Sequence, residues 1–121
     1  MEYKIEIDNK NKMIILKSVG VSEYNTIKQI INDAAAEFKK TGHKKFFCDV
    51  KNNALDISKE EAANITGLMK IAGIDSSIKI AILYKLSEKH RKSFQELALN
   101  SGFNLKYFKE KNKALKWLKN K

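Results

Sequence analysis

Apolar and polar residues alternate at the start of the chain, with Tyr3, Ile5 and Ile7 on one side and Glu2, Lys4, Glu6 and Asp8 on the other. Period two is the signature of a half-buried strand. The cluster Asp8-Asn9-Lys10-Asn11-Lys12 is a turn, and Met13 to Val19 follows as a second, nearly continuous apolar run. Two such runs about a short turn predict a β-hairpin. From Ser22 the period changes. Tyr24, Ile27, Ile31, Ala34 and Phe38, widened by Ile30 and Ala35, recur three and four residues apart, which predicts a helix with one buried face. Ser22 is its expected N-cap, and Gly42 after Thr41 its left-handed stop.

The same alternation of elements then continues. Phe46, Phe47, Cys48 and Val50 predict a short buried strand. Ser58 and Glu61 stand at capping-box spacing, each able to satisfy an orphan backbone donor of the other. The helix they open carries Ala62, Ile65, Leu68, Met69 and Ala72, and Gly73 closes it. Ile78 to Tyr84 reads as a strand, and Ser87 as the cap of a helix bearing Phe94, Leu97 and Ala98 that stops at Ser101-Gly102. Phe103, Leu105 and Tyr107 alternate as a last strand. A final helix buries Ala114, Leu115 and Leu118, with Trp117 partly covered.

Gly42, Gly73 and Gly102 fall about thirty residues apart, the length of one strand-helix unit. Strands alternating with helices at this length imply parallel pairing with right-handed crossovers. The middle strands are continuously apolar, as strands covered on both faces are, whereas the first and last alternate and carry lysine, as edges do. The expected architecture is α/β: a mixed, mostly parallel five-stranded sheet with an N-terminal hairpin and four helices, in the order β-β-α-β-α-β-α-β-α. The 121 residues contain no proline and no Gly/Ser-rich linker, so a single domain over 1–121 is expected.

Composition narrows the class. No window approaches the ~18 consecutive apolar residues of a membrane span, and Met1 to Glu6 lacks the basic start and apolar run of a signal peptide, so the cytoplasm is the expected compartment. Cys48, the single cysteine, has no partner for a disulfide and lies in an apolar run, which reads as a core residue. The net charge of +10 attracts phosphate nonspecifically. Yet Arg91 is the only arginine and the lysines are spread over every segment, which argues against nucleic acid as the main partner. His43 and His90 read as surface residues. There is no Gly-x-Ser-x-Gly elbow, no phosphate-cradling glycine loop and no His/Cys cluster with metal spacing. No catalytic residue, cofactor or metal is therefore expected.

The order of elements resembles STAS domains, those of anti-sigma-factor antagonists and sulfate-transporter tails, and in particular the small standalone bacterial branch often grouped with CRAL-TRIO lipid-transfer domains. Leu105-Lys106-Tyr107-Phe108-Lys109-Glu110 followed by Ala114-Leu115-Lys116-Trp117-Leu118 carries the likeness, as does Phe46-Phe47-Cys48-Asp49-Val50. The resemblance implies that a serine following an aspartate, at the start of the second long helix, is phosphorylated and controls partner binding. Asp56-Ile57-Ser58 is the local match, with Lys59 standing where the family usually has glycine.

In open parallel sheets ligands sit beyond the carboxyl ends of the strands. The loops expected there gather Asp49, Lys51, Asn52, Asn53, Asp56, Ser58, Lys85 and Ser87, with two helix N-termini that favour an anion. This is the expected partner- or anion-binding edge. Simpler roles exist for each member: Ser58 as a plain cap, Asp49 as an Asx turn, Lys51 and Lys85 as solvated charges. The second helix, with little polar face, offers Ile65, Leu68, Met69 and Ala72 as a wall that its neighbours, a dimer contact or a lipid-like ligand would cover. The sequence thus points first to a noncatalytic regulatory domain docking a protein partner, as monomer or homodimer. The alternative is a carrier for a small amphipathic ligand, and an uncharacterised enzyme comes third.

Overall fold

The turn at Asp8 to Lys12 does what its composition dictates: Asp8 accepts from the backbone and side-chain amides of Asn11, and the chain reverses into a hairpin. In the computed structural model, which describes residues 2–56, 58–85 and 88–120, the hairpin strands are β1 (Glu2–Asp8) and β2 (Met13–Glu23). They pair antiparallel, with Tyr3 opposite Ser18 and Ile7 opposite Ile14. The described residues continue through α1 (Tyr24–Thr41), β3 (Lys45–Asp56), α2 (Lys59–Ala72), β4 (Lys79–Leu83), α3 (Glu88–Asn100), β5 (Asn104–Phe108) and α4 (Lys111–Lys119). The five strands form one sheet in the order β1-β2-β3-β4-β5, and every pair after the hairpin is parallel. The predicted architecture is the observed one.

Two cores flank this sheet. On one side α1, α2 and α3 pack over Ile14, Leu16, Phe46, Cys48, Ile80 and Leu105. On the other, α4 places Ala114 and Leu118 against Met13, Phe47, Ala81 and Leu83. Strands in sequential order with right-handed crossovers put their connecting helices on one face, and α4, which connects no two strands of this sheet, covers the other. Rings reinforce both layers: Phe38 meets Phe46 edge-on at 5.3 Å and Phe108 lies 5.7 Å from Trp117. Gly42 and Gly73, at φ 75° and 97°, end α1 and α2 in the left-handed conformation that glycine adopts without a Cβ clash.

The outline departs from the sequence reading around Ser22. β2 runs on to Glu23, and β3, expected to end near Val50, reaches Asp56. Glu23 stands at the N-cap of α1 without a side-chain capping bond. Ser22 is instead a buried strand residue whose hydroxyl accepts from Asn53. The segment expected to be loop after Asp49 is thus a strand, paired to β2 from Val19–Asn52 through Glu23–Asp56.

The second helix has only part of its apolar surface covered. Ile71 is 86% exposed, while Leu68, Met69 and Ala72 only partly cover themselves against the core.

Candidate functional site

β4 ends at Leu83, opposite Asp49, whereas β3 continues to Asp56. At about 3.3 Å per residue, Asp56 therefore sits roughly 20 Å beyond the level of Leu83. A two-stranded parallel ribbon of β2 and β3, from Gly20–Asn53 to Glu23–Asp56, projects past the rest of the sheet, with Val21 exposed on it. This splits the expected edge. Ser58 opens α2 at the far end of the ribbon, while exposed Lys85 lies back at the end of β4. Ser87 and the side chain of Asp56 lie outside the described residues.

A bulge divides the remaining members between the two faces. Lys17 pairs with Asp49 and Val19 with Asn52, so β3 carries one extra residue there. An extra residue reverses the alternation of side chains. Asp49 and Asn52 consequently border a shallow depression with Glu2, Lys4, Lys17 and Val19, on the face that α4 partly covers. Val50 and Asn53 turn to the opposite face, under the helices. Exposed Lys51 lies at the bulge itself. The placement of Asn53 on an open edge is thereby corrected: it is half-buried and directed inward.

Ser58 is exposed and forms the predicted capping box. Its hydroxyl accepts from the Glu61 amide at 3.1 Å, and its own amide donates to Glu61 Oε1 at 2.9 Å. Glu60 and Glu61 complement the positive end of the helix dipole. This N-terminus already holds its anion, supplied by the chain itself.

Under the three helices, against the apolar face of α2, lies a cavity of about 240 Å³. Its walls are mostly aliphatic side chains from α1, α2, α3 and the sheet, among them Ile30, Ile65, Met69, Ile82 and Leu97, with the rings of Phe46 and Tyr107. Two of the four residues expected as an apolar wall, Ile65 and Met69, line it; Leu68 and Ala72 pack beside it on the core instead. Cys48 also faces it, fully buried, and burial pushes its thiol well above the ordinary range.

At one end the cavity turns polar. The Asn53 side-chain amide donates to Ser18 Oγ at 2.9 Å and Ser22 Oγ at 2.7 Å. Both serines are buried. The period-two spacing of Ser18, Gly20 and Ser22 was the available sequence signal, since it puts two hydroxyls on one strand face with no side chain between them.

Among the described residues no helix is long and apolar enough to cross a membrane, and no cluster of His, Cys, Asp or Glu is arranged to hold a metal ion. No family model and no curated protein matches the chain. Solved structures do. An uncharacterized protein of the DUF3478 family with a SpoIIAA-like fold, from Shewanella loihica PV-4, is 21% identical over 97% of this chain and 92% of its own, with a TM-score of 0.61. The anti-sigma factor antagonist SpoIIAA, in its unphosphorylated form, is 10% identical over 99% of this chain and all of its own, with a TM-score of 0.60. The chain has the SpoIIAA-like, STAS-type fold.

Proposed function

We propose that this chain is a noncatalytic regulatory domain of the STAS type, working in the cytoplasm, that docks a protein partner through the surface around the start of α2. The supporting observation is an exposed serine, Ser58, at the N-cap of α2 in a chain with the fold of an anti-sigma factor antagonist. A phosphate there adds about two negative charges. It meets the free N–H groups of the helix start, which favour it, and the carboxylates of Glu60 and Glu61, which do not. Phosphorylation therefore replaces the Ser58–Glu61 box with a new arrangement of the first turn. A partner that reads the unmodified box loses it, which is how a single serine works as a switch.

Intact mass of the protein isolated from its own cells tests this reading. A chain heavier by one phosphate, mapped to Ser58, is expected in a fraction of the population. A bare chain in every growth state overturns phosphorylation control.

A second reading, a carrier for a small amphipathic ligand, is favoured by a separate observation, the apolar cavity with its polar end. It is compatible with the first, because α2 carries both Ser58 at its start and Ile65 and Met69 in the cavity wall.

A further inference from the structure

We propose that the cavity takes a small neutral amphiphile, a short acyl chain or single ring ending in an uncharged head such as an amide, alcohol or ketone, with the head held by the Ser18 hydroxyl at the polar end beside Ser22 and Asn53. The proposal rests on the ligand-carrier reading. Three observations set the class of ligand.

The first is size. At about 240 Å³ the cavity exceeds the roughly 150 Å³ that suffices for benzene and falls short of the ~300 Å³ at which drug-sized sites begin. One short tail or one ring fits that range.

The second is charge. Among the described residues the lining contains no Lys, Arg, Asp, Glu or His, and the Cys48 thiol stays protonated because burial disfavours its thiolate. An ionised head would meet no counter-charge among the described residues, which low-dielectric surroundings penalise heavily. A fatty carboxylate or a phosphate is therefore the wrong ligand for this end of the cavity, despite the chain's net charge of +10.

The third is hydrogen-bond geometry. Ser18 Oγ accepts from Asn53, so its own hydroxyl proton points elsewhere. A carbonyl or hydroxyl oxygen at the polar end accepts from the Ser18 hydroxyl. Gly20, in register with Asn53, keeps the space over the strand free for this cluster.

Octanamide and octanoate, identical in tail and different in head charge, are the probes. Each is titrated at pH 7.5 into protein labelled at the isoleucine and methionine methyl groups, and the Ile65, Ile82 and Met69 resonances are followed. Octanamide is expected to shift them saturably, and octanoate to bind about tenfold or more weakly. Ser18→Ala is expected to weaken octanamide about three- to tenfold and leave octanoate unchanged. Ala62→Phe, whose ring enters the cavity from α2, is expected to abolish binding, its own amide spectrum verifying the fold. If neither probe moves these methyls in the parent protein, the ligand-carrier reading falls with the proposal. If octanoate binds as tightly as octanamide, or Ser18→Ala changes neither affinity, the cavity stands and the assignment of the head is overturned.

Discussion

Gly20 stands directly opposite Asn53 in the β2–β3 ladder, and the Asn53 amide spans it to reach Ser18 on one side and Ser22 on the other. Gly20 has φ 104°, a conformation closed to residues with a Cβ except under strain. Gly20→Ala is therefore expected to destabilise the fold by about 1–2 kcal/mol, with loss of the amide-to-hydroxyl bonds. Urea denaturation measures it, and an unchanged midpoint would mean that the ribbon tolerates a different backbone at this point.

Gly67 gives the opposite result for the opposite reason. It lies in the body of α2, and a Cβ placed on it meets nothing within 4 Å. Gly67→Ala lowers the entropy of the unfolded chain and removes a poor helix former, for an expected gain of about 0.5–1 kcal/mol. A lower melting temperature for this variant contradicts the helix as described.

Lys79 ties α4 to the sheet. Its ammonium donates to the carbonyl oxygens of Trp117 and Asn120 at the helix C-terminus and lies 4.6 Å from the centre of the Trp117 ring. Cations are favoured at that end of a helix. Lys79→Met keeps the aliphatic stem and removes the charge, at an expected loss of about 1–2 kcal/mol. Trp117 is the chain's one tryptophan, so its emission reports α4 directly and is expected to shift red at lower urea than in the parent. Coincident transitions in the two proteins would remove Lys79 from the account.

Tyr3 donates to Asp33 Oδ2 at 2.6 Å, joining β1 to α1. The neighbouring carboxylate holds the phenol proton, and the Tyr3 pKa is pushed up to about 12 from its ordinary 10.0. The folded chain thus binds this proton more tightly than the unfolded one. The stabilisation is complete below pH 10 and is lost as the pH rises to about 12. Both groups are near solvent, so the bond contributes about 0.5–1 kcal/mol. Tyr3→Phe is expected to cost that amount at pH 8 and little above pH 12, as followed by denaturation at the two pH values. An equal loss at both would assign the effect to packing alone.

Elements whose signals are local were legible in the sequence. Period-two runs, three-four stripes and the glycines that close the helices fixed the order of elements and the edges of the sheet. Ser58 and Glu61 form the box that their spacing predicted. The ribbon was not legible, because Gly20, Ser22, Asn52 and Asn53 are poor strand formers in isolation and are ordered by pairing between segments about thirty residues apart. The same distance misled the reading of Ser22, whose local cap signal yields to Asn53. The side on which Asn53 falls depends on one bulge residue, which no periodicity encodes. Of the cavity, the α2 wall at Ile65 and Met69 was legible; the rest is a collective gap among residues of several elements that read singly as ordinary core.

Strand order that follows chain order bears on how this protein is made. Each strand pairs with the one synthesised just before it, and no strand has to insert between two others already joined. The hairpin offers an edge to β3, β3 to β4 and β4 to β5, so the sheet can grow in the direction of translation. The exposed growing edge is the hazard of slow parallel pairing, and here it is open only for the time it takes to synthesise one helix and one strand. The opposite face is covered after all five strands have been made, when α4 closes over Met13, Phe47 and Ala81 and withdraws that apolar surface from solvent.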